Sequence, residues 1–369
     1  MISVVHAFSR RNSGDSLLVD LTLRRLKAAG VARDTVQLLA LDPSSFDDLD
    51  RVVGVPGEPW GRPSMAALRA TAHLLASSVS LTTGMRVRLG TVAQTLAASD
   101  GVVAVGGGYL RTRGIVNSLG VALNHAPQLA IASRVRAPSI YLPQSIGPLH
   151  GPVGAAVKRV LSGLTAIHVR DDRSAAGLRY LGNVHRTPDL AVLELAERKP
   201  IVPDAVDGPP TLVARALPHA AGYRDRLRAL ADALPDHRWA VQAAGLGGRS
   251  DEAFYGQMGV TPSGPLRHAL ADSPAVIVSV RLHGALESLM AGRPAVHLSY
   301  ERKGWGAYED LGIGDFVHSA RHFDPTKVAA QVSHIQADPG VFWEPLQRRL
   351  PDLAERSAAL TEQLHTTFA

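Results

Sequence analysis

The sequence predicts an α/β protein built from two Rossmann-like domains facing each other across a cleft. Three observations lead there. Short β-branched runs alternate with longer amphipathic segments, the alternation lapses once near mid-chain before resuming, and glycine- or arginine-bearing turns recur where strands end. The 369 residues, 46% hydrophobic and 20% charged, suffice for two well-buried cores. That balance excludes a disordered or fibrous chain.

In the first half, strands are read at Ile2–Ala7, Val36–Leu41, Val102–Val105, Ser139–Leu142 and Ala166–Val169, each followed by a helical pattern. Met1 to Phe8 has no basic leader and only a short apolar run, so it reads as a first buried strand rather than a signal peptide. Between Glu194 and Pro210 the pattern lapses into ELAERKPIVPDAVDGPP, whose prolines, acidic residues and Gly208 suit a linker. A second series follows at Leu212–Ala214, Trp239–Ala243, Val276–Val280 and Ala295–Leu298, and a helical tail runs from about Val341 to Leu364. The expected division is an N-terminal domain over 1–195, a linker over 196–210, a C-terminal domain over 211–340 and a tail over 341–369 that packs back on the first domain. Ligands of open α/β sheets bind beyond the carboxyl ends of the strands, so the turns there are the candidate sites.

With no cysteine, disulfides, thiolate nucleophiles and Cys-ligated metals are excluded, and a reducing, cytoplasmic setting is expected. No H-E-x-x-H or carboxylate cluster suggests a metal, and no cofactor is expected. No apolar stretch approaches the roughly 20 residues of a membrane span. The net charge is +6, and only five of the 39 basic residues are lysines. GC-rich coding explains that bias as well as a need for guanidinium forks does. The basic residues are scattered without interleaved aromatics, so nucleic acid is not an expected partner, whereas a phosphorylated or carboxylated small substrate is.

Asn12-Ser13-Gly14-Asp15 opens the helix after the first strand. Asn and Ser are ordinary N-cap residues and capping is the leading local expectation; an anion or sugar hydroxyl at the same turn is the alternative. Gly106-Gly107-Gly108 ends a strand and predicts either positive φ or close ligand approach, but it lacks the dinucleotide and P-loop spacings. Gln144 and Ser145 sit in a proline-bracketed turn after another strand. Arg170 falls where a strand ends, and reads either as a surface pair with Asp171 or Asp172 or as an anion site. The most specific stretch is Val278-Ser279-Val280-Arg281-Leu282-His283-Gly284, followed by Glu287, Gly292, Pro294, Tyr300 and Lys303. Strand alternation would put Arg281 and His283 on one face, an anion-binding arginine beside a proton-carrying histidine.

Taken in order, these motifs resemble the polysaccharide pyruvyl transferases: N-x-G-D at Asn12, Gly14 and Asp15; G-G-G-x-L at Gly106 to Leu110; Pro143 to Pro148; V-R-D at Val169 to Asp171; P-D-L-A at Pro188 to Ala191; and R-L-H-G at Arg281 to Gly284 with G-x-P and Y-x-x-K behind it. They span Asn12 to Lys303. The resemblance implies a GT-B-like fold and transfer of the pyruvyl group of phosphoenolpyruvate to two hydroxyls of a sugar or glycan, whether polymeric, lipid-linked or part of a small metabolite, giving a cyclic ketal and phosphate, as in polysaccharide biosynthesis. It assigns functional roles to Arg281, His283 and Arg170. A further family histidine is not placed; His125 lies in the right region, but inside a predicted helix where a satisfied or solvated ring is expected.

On this reading Arg281 and Arg170 hold the carboxylate and phosphate, the glycine loop and Asn12, Gln144, Ser145 and Lys303 complete the binding surface, His283 supplies the proton, and Asp15 orients the acceptor. The runner-up is a sugar-nucleotide glycosyltransferase of the same fold, for which Glu287 is the one nearby carboxylate suited to a ribose. A non-catalytic glycan- or nucleotide-binding protein is the third, and the pairing of Arg281 with His283 argues against it.

Overall fold

The computed structural model describes residues 1–55, 91–203, 205–217, 220–243, 250–272 and 274–369. The chain forms two compact units. The first comprises Met1–Arg10, Leu18–Leu190 and Ala358–Ala369; the second comprises Arg11–Leu17 and Ala191–Ser357.

The first unit carries β1 (Ile2–Ala7), β2 (Val36–Ala40), β3 (Val52–Gly54), β4 (Gly101–Ala104), β5 (Ser139–Gln144), β6 (Ala166–Val169) and β7 (Val184–Arg186). These make one parallel sheet in the order β3-β2-β1-β4-β5-β6-β7. Every residue of β1, β4, β5 and β6 is buried, as expected of parallel strands covered on both faces, and this is why they read as unbroken apolar runs. The order reverses between β1 and β4, which makes their carboxyl ends the switch point of this sheet. The last turns of the terminal helix Gly340–Phe368 complete the unit: Arg25 donates to Thr361 at 2.9 Å, and His365 meets the Ala29 carbonyl at 3.0 Å.

The second unit carries β8 (Gly208–Val213), β9 (Arg238–Val241), β10 (Gly264–Pro265), β11 (Ala275–Ser279), β12 (Ala295–Ser299) and β13 (Val317–Ser319). Its parallel order is β10-β9-β8-β11-β12-β13, with the reversal between β8 and β11. Two Rossmann-like sheets are therefore present.

Sequence and structure differ at the edges. The strands β3, β7, β10 and β13, each two or three residues long, are the outer strands of the two sheets and have too few buried positions to register as apolar runs. The expected linker is narrower than its composition suggests. Leu190–Arg198 is helical, β8 begins at Gly208, and only 199–207 is irregular, with residue 204 outside the described set. Pro209 and Pro210 lie inside β8 without breaking it because the pairing with β9 starts only at Thr211.

Gly292, in the tail of the R-L-H-G motif, has φ +70°, and a Cβ there would overlap the carbonyl oxygen of Ile201. Its role is to let the chain turn after helix Leu282–Met290. Gly292→Ala is expected to destabilise the protein by about 2 kcal/mol or more, read as a lower urea midpoint; an unchanged midpoint would show that the turn relaxes freely.

Candidate functional site

At the carboxyl end of β11, Ser279 turns the chain into helix Leu282–Met290. Its Oγ accepts from the Arg281 amide at 3.2 Å and donates to the Arg281 carbonyl at 2.8 Å. Arg281 is thus the N-cap residue, and His283 belongs to the first helical turn. The strand alternation expected to align these two side chains ends at Ser279; helix entry orients them instead. The Arg281 guanidinium grips Asp251, with Nε at 3.0 and 3.1 Å from the two carboxylate oxygens and Nη2 at 2.5 Å. Asp251 is completely buried and also accepts from the amides of Gln242, at 3.1 Å, and Ala243, at 2.9 Å. Arg281 keeps about an eighth of its side chain exposed (13%), and Nη1 makes no hydrogen bond among the described residues.

Residues Arg11–Leu17 cluster with this unit. A Cβ on Gly14 would lie 2.6 Å from Nδ1 of His283, so glycine leaves room there for the His283 ring. Asn12 performs the expected cap, accepting from the Gly14 amide at 3.3 Å, and its amide also donates to Asp15 at 2.6 Å. Burial pushes the Asp15 carboxyl up to about 6, while Lys303, the Asn12 hydrogen bond and Arg281 pull it back toward ionisation. Lys303 pairs with Glu301 at 3.3 Å. Behind it, buried His297 meets the Ser279 carbonyl at 2.8 Å, and burial holds its pKa at about 4. Asn12, Asp15, Arg281, His283 and Lys303 are thereby assembled in one unit.

The remaining candidates assemble in the first unit. Arg170, at the end of β6, is buried: Nη1 pairs with the buried Asp189 and Nε donates to Ser145 at 3.2 Å. The expected pairing with Asp171 or Asp172 is not found, because Asp171 caps the helix Asp172–Leu178 through the Ser174 amide and Asp172 pairs with Arg186. Nor is the guanidinium presented as an open anion site, since its side chain is only 1% exposed. The glycine triplet also differs from expectation. None of Gly106, Gly107 and Gly108 has positive φ. A Cβ on Gly106 would meet the Pro143 carbonyl at 2.6 Å and one on Gly107 the Tyr109 ring at 2.8 Å, so the triplet makes room for protein atoms. Gln144, at the end of β5, is wholly buried.

Sequence reasoning missed Asp251 and His297 altogether, and named His125 without the partners that surround it. Asp251 and His297 carry no local motif; only the fold brings them to Arg281. Around the β1–β4 switch point, His6, Tyr109, His125 and Tyr141 pack together, with ring centroids of 4.6 Å for Tyr109 and His125 and 4.7 Å for His6 and Tyr109. Among the described residues no group of three or more histidine and carboxylate side chains is placed to hold a metal.

Two doubly wound parallel sheets, each with a polar cluster at its switch point, give the chain a GT-B-like α/β fold. The polysaccharide pyruvyl transferase family model matches residues 12–252, and the chain belongs to that family. The matched span ends before Arg281 and His283. A search of curated proteins gives no match. Solved structures of similar fold include Anabaena Alr3699/HepE in complex with UDP-glucose, at 13% identity and TM-score 0.57, covering 99% of this chain and 98% of that one. The UDP-GlcNAc 2-epimerase from Neisseria meningitidis bound to UDP-GlcNAc is similar at 11% identity and TM-score 0.54, covering 99% of each chain. The trehalose-6-phosphate synthase OtsA follows at 11% identity and TM-score 0.52, covering 100% and 97%.

Asp15 sets a pH signature. Its folded pKa of about 6 exceeds the ordinary 3.8, so its contribution to stability is full below pH 4 and is lost as pH rises through 6. Asp15→Asn should therefore stabilise the fold at pH 8 by on the order of 1–3 kcal/mol, seen as a higher Tm, and change Tm little at pH 4. Thermal melts at both values check this, and equal effects at the two would refute it.

Proposed function

We propose that this protein transfers the pyruvyl group of phosphoenolpyruvate to two hydroxyls of a sugar or glycan acceptor, forming a cyclic ketal and releasing phosphate. The observation that carries this reading is the second unit's cluster: two cations, Arg281 and Lys303, beside a histidine and a carboxyl group whose pKa lies near neutrality. Phosphoenolpyruvate concentrates a carboxylate and a phosphate on a small frame, and a guanidinium held in place by Asp251 offers its free edge to such an anion without losing further rotamer freedom.

The chemistry requires one proton given and two removed. His283 delivers a proton to the methylene carbon as the enol π pair attacks it, leaving positive charge at the central carbon. The first acceptor hydroxyl adds to that carbon and gives up its proton, for which Asp15 is the base. The second hydroxyl then displaces the phosphate as the carbon–oxygen bond breaks, and its proton leaves with it. Arg281 and Lys303 stabilise the charge that collects on the departing phosphate. No step requires a cofactor. A sugar-nucleotide reading would need Glu287 for a ribose, but that carboxyl is largely withdrawn: burial raises its pKa to about 7 and it takes a hydrogen bond from the Gln242 side chain. The family match favours the pyruvyl reading.

Calorimetric titration with phosphoenolpyruvate and with a UDP-sugar separates the two, since the proposal requires preference for the former. Arg281→Ala should lose on the order of 2–5 kcal/mol of phosphoenolpyruvate binding, and Arg281→Lys should not restore it. Unaltered affinity in Arg281→Ala would remove this residue from the site. His283→Gln should bind phosphoenolpyruvate nearly normally while kcat falls by roughly 10² to 10⁴. A matched fall in binding, rate and Tm would instead mark the histidine as structural.

A further inference from the structure

His6 is the last residue but one of β1, and its backbone is left-handed, with φ +68°. Histidine tolerates that region better than most residues, yet a non-glycine residue there at a sheet's switch point is the kind of local strain that surrounding structure must hold in place. Here the holding contact is explicit: the His6 amide donates to Oε1 of the wholly buried Gln128 at 2.9 Å, and Gln128 in turn donates to the Asn124 carbonyl at 3.0 Å. The same segment, Val121–His125, is a π-helical turn, a rare form that re-aims the residues at its end.

The ring of His6 is engaged at both nitrogens. Nε2 lies 2.8 Å from the Tyr141 hydroxyl and Nδ1 lies 3.4 Å from Nδ1 of His125. Burial holds both rings below their ordinary pKa, His125 at about 4, and the nearby His125 lowers His6 further, so both are neutral at physiological pH. Two arrangements of protons can satisfy the contact between the Nδ1 atoms. If His125 were the donor, His6 would carry its proton on Nε2, and the buried Tyr141 hydroxyl, which has no other hydrogen-bond partner among the described residues, would accept that bond and leave its own proton unbonded. If His6 is the donor, Tyr141 O–H donates to His6 Nε2, His6 Nδ1–H donates to His125 Nδ1, and the protons of the wholly buried Tyr141 and His6 are both bonded, so the one proton left over falls on the half-buried His125. The second arrangement leaves the proton of His125 on Nε2, the nitrogen with no hydrogen-bond partner among the described residues.

We infer that His6 is a positioning residue which, backed by Tyr141, fixes His125 as its Nε2–H tautomer, so that the first unit presents a neutral hydrogen-bond donor to a substrate oxygen at its switch point. The stack of Tyr109 on His125 sets the plane of that donor, and the absence of a side chain at Gly107 makes room for the Tyr109 ring. The catalytic consequence rests on the pyruvyl-transfer reading; the tautomer does not.

Nitrogen-15 imidazole spectra of the full-length protein, with the His125 signals assigned by their loss in His125→Gln, read the tautomer directly. A single Nε2–H form in the wild type is expected. Tyr141→Phe removes the backing hydroxyl, and His6→Asn removes the ring while keeping a residue that tolerates left-handed backbone; in either, His125 should become a mixture of tautomers. kcat for pyruvyl transfer should fall about tenfold or more, with a smaller change in KM. An Nδ1–H form in the wild type, or an unchanged single tautomer in either folded variant, would overturn the inference. The expected tautomers in a protein without pyruvyl transfer would instead overturn the functional reading alone.

Discussion

The second unit's site depends on one buried ion pair. Asp251 has no contact with solvent, and its carboxylate is stable only because two backbone amides and the Arg281 fork surround it. A lone carboxylate so buried would be strongly unfavourable, and its partner cannot leave without exposing that cost. Arg281 is therefore a fixed cation, and the Ser279 hydroxyl locks the backbone that carries it. The first unit repeats the device with Arg170 and Asp189, but there the guanidinium is sealed. The two arginines to which the family resemblance assigns functional roles are physically different. One has an edge left for a ligand; the other props Ser145 and the end of β5.

Around the fixed cation, the close approach of Gly14 to His283 brings the helix start at Asn12 and Asp15 into the same cluster. The sequence order N-x-G-D acquires a physical meaning from that approach. Asn12 caps, Gly14 yields space, and Asp15 places a carboxyl among cations, where desolvation outweighs attraction and lifts its pKa to about 6. A carboxyl so raised can hold or release a proton near neutral pH, as ketal formation needs.

Much of this is legible in the sequence itself. The interior strands of both sheets are continuous apolar runs, and their ends carry the motifs, so the two-sheet architecture and the candidate turns follow from pattern alone. What stayed hidden depends on long-range contact. Edge strands such as β10, only two residues long, bury too little to leave a pattern. The glycine triplet reads the same whether it accommodates a ligand or the Pro143 carbonyl. Asp251 stands thirty residues before Arg281, with nothing local to link them. His6 looks like one more strand residue until Tyr141 and His125 arrive beside it.

The central claim is that the fixed cation and its neighbours serve phosphoenolpyruvate chemistry rather than nucleotide-sugar chemistry. Incubating the protein with phosphoenolpyruvate and a panel of glycan acceptors, and measuring released phosphate against ketal by mass spectrometry, tests it most directly. The account predicts one phosphate per ketal formed and no nucleotide release when UDP-sugars replace phosphoenolpyruvate. Glycosyl transfer from a UDP-sugar, with no ketal from phosphoenolpyruvate on any acceptor, would contradict it.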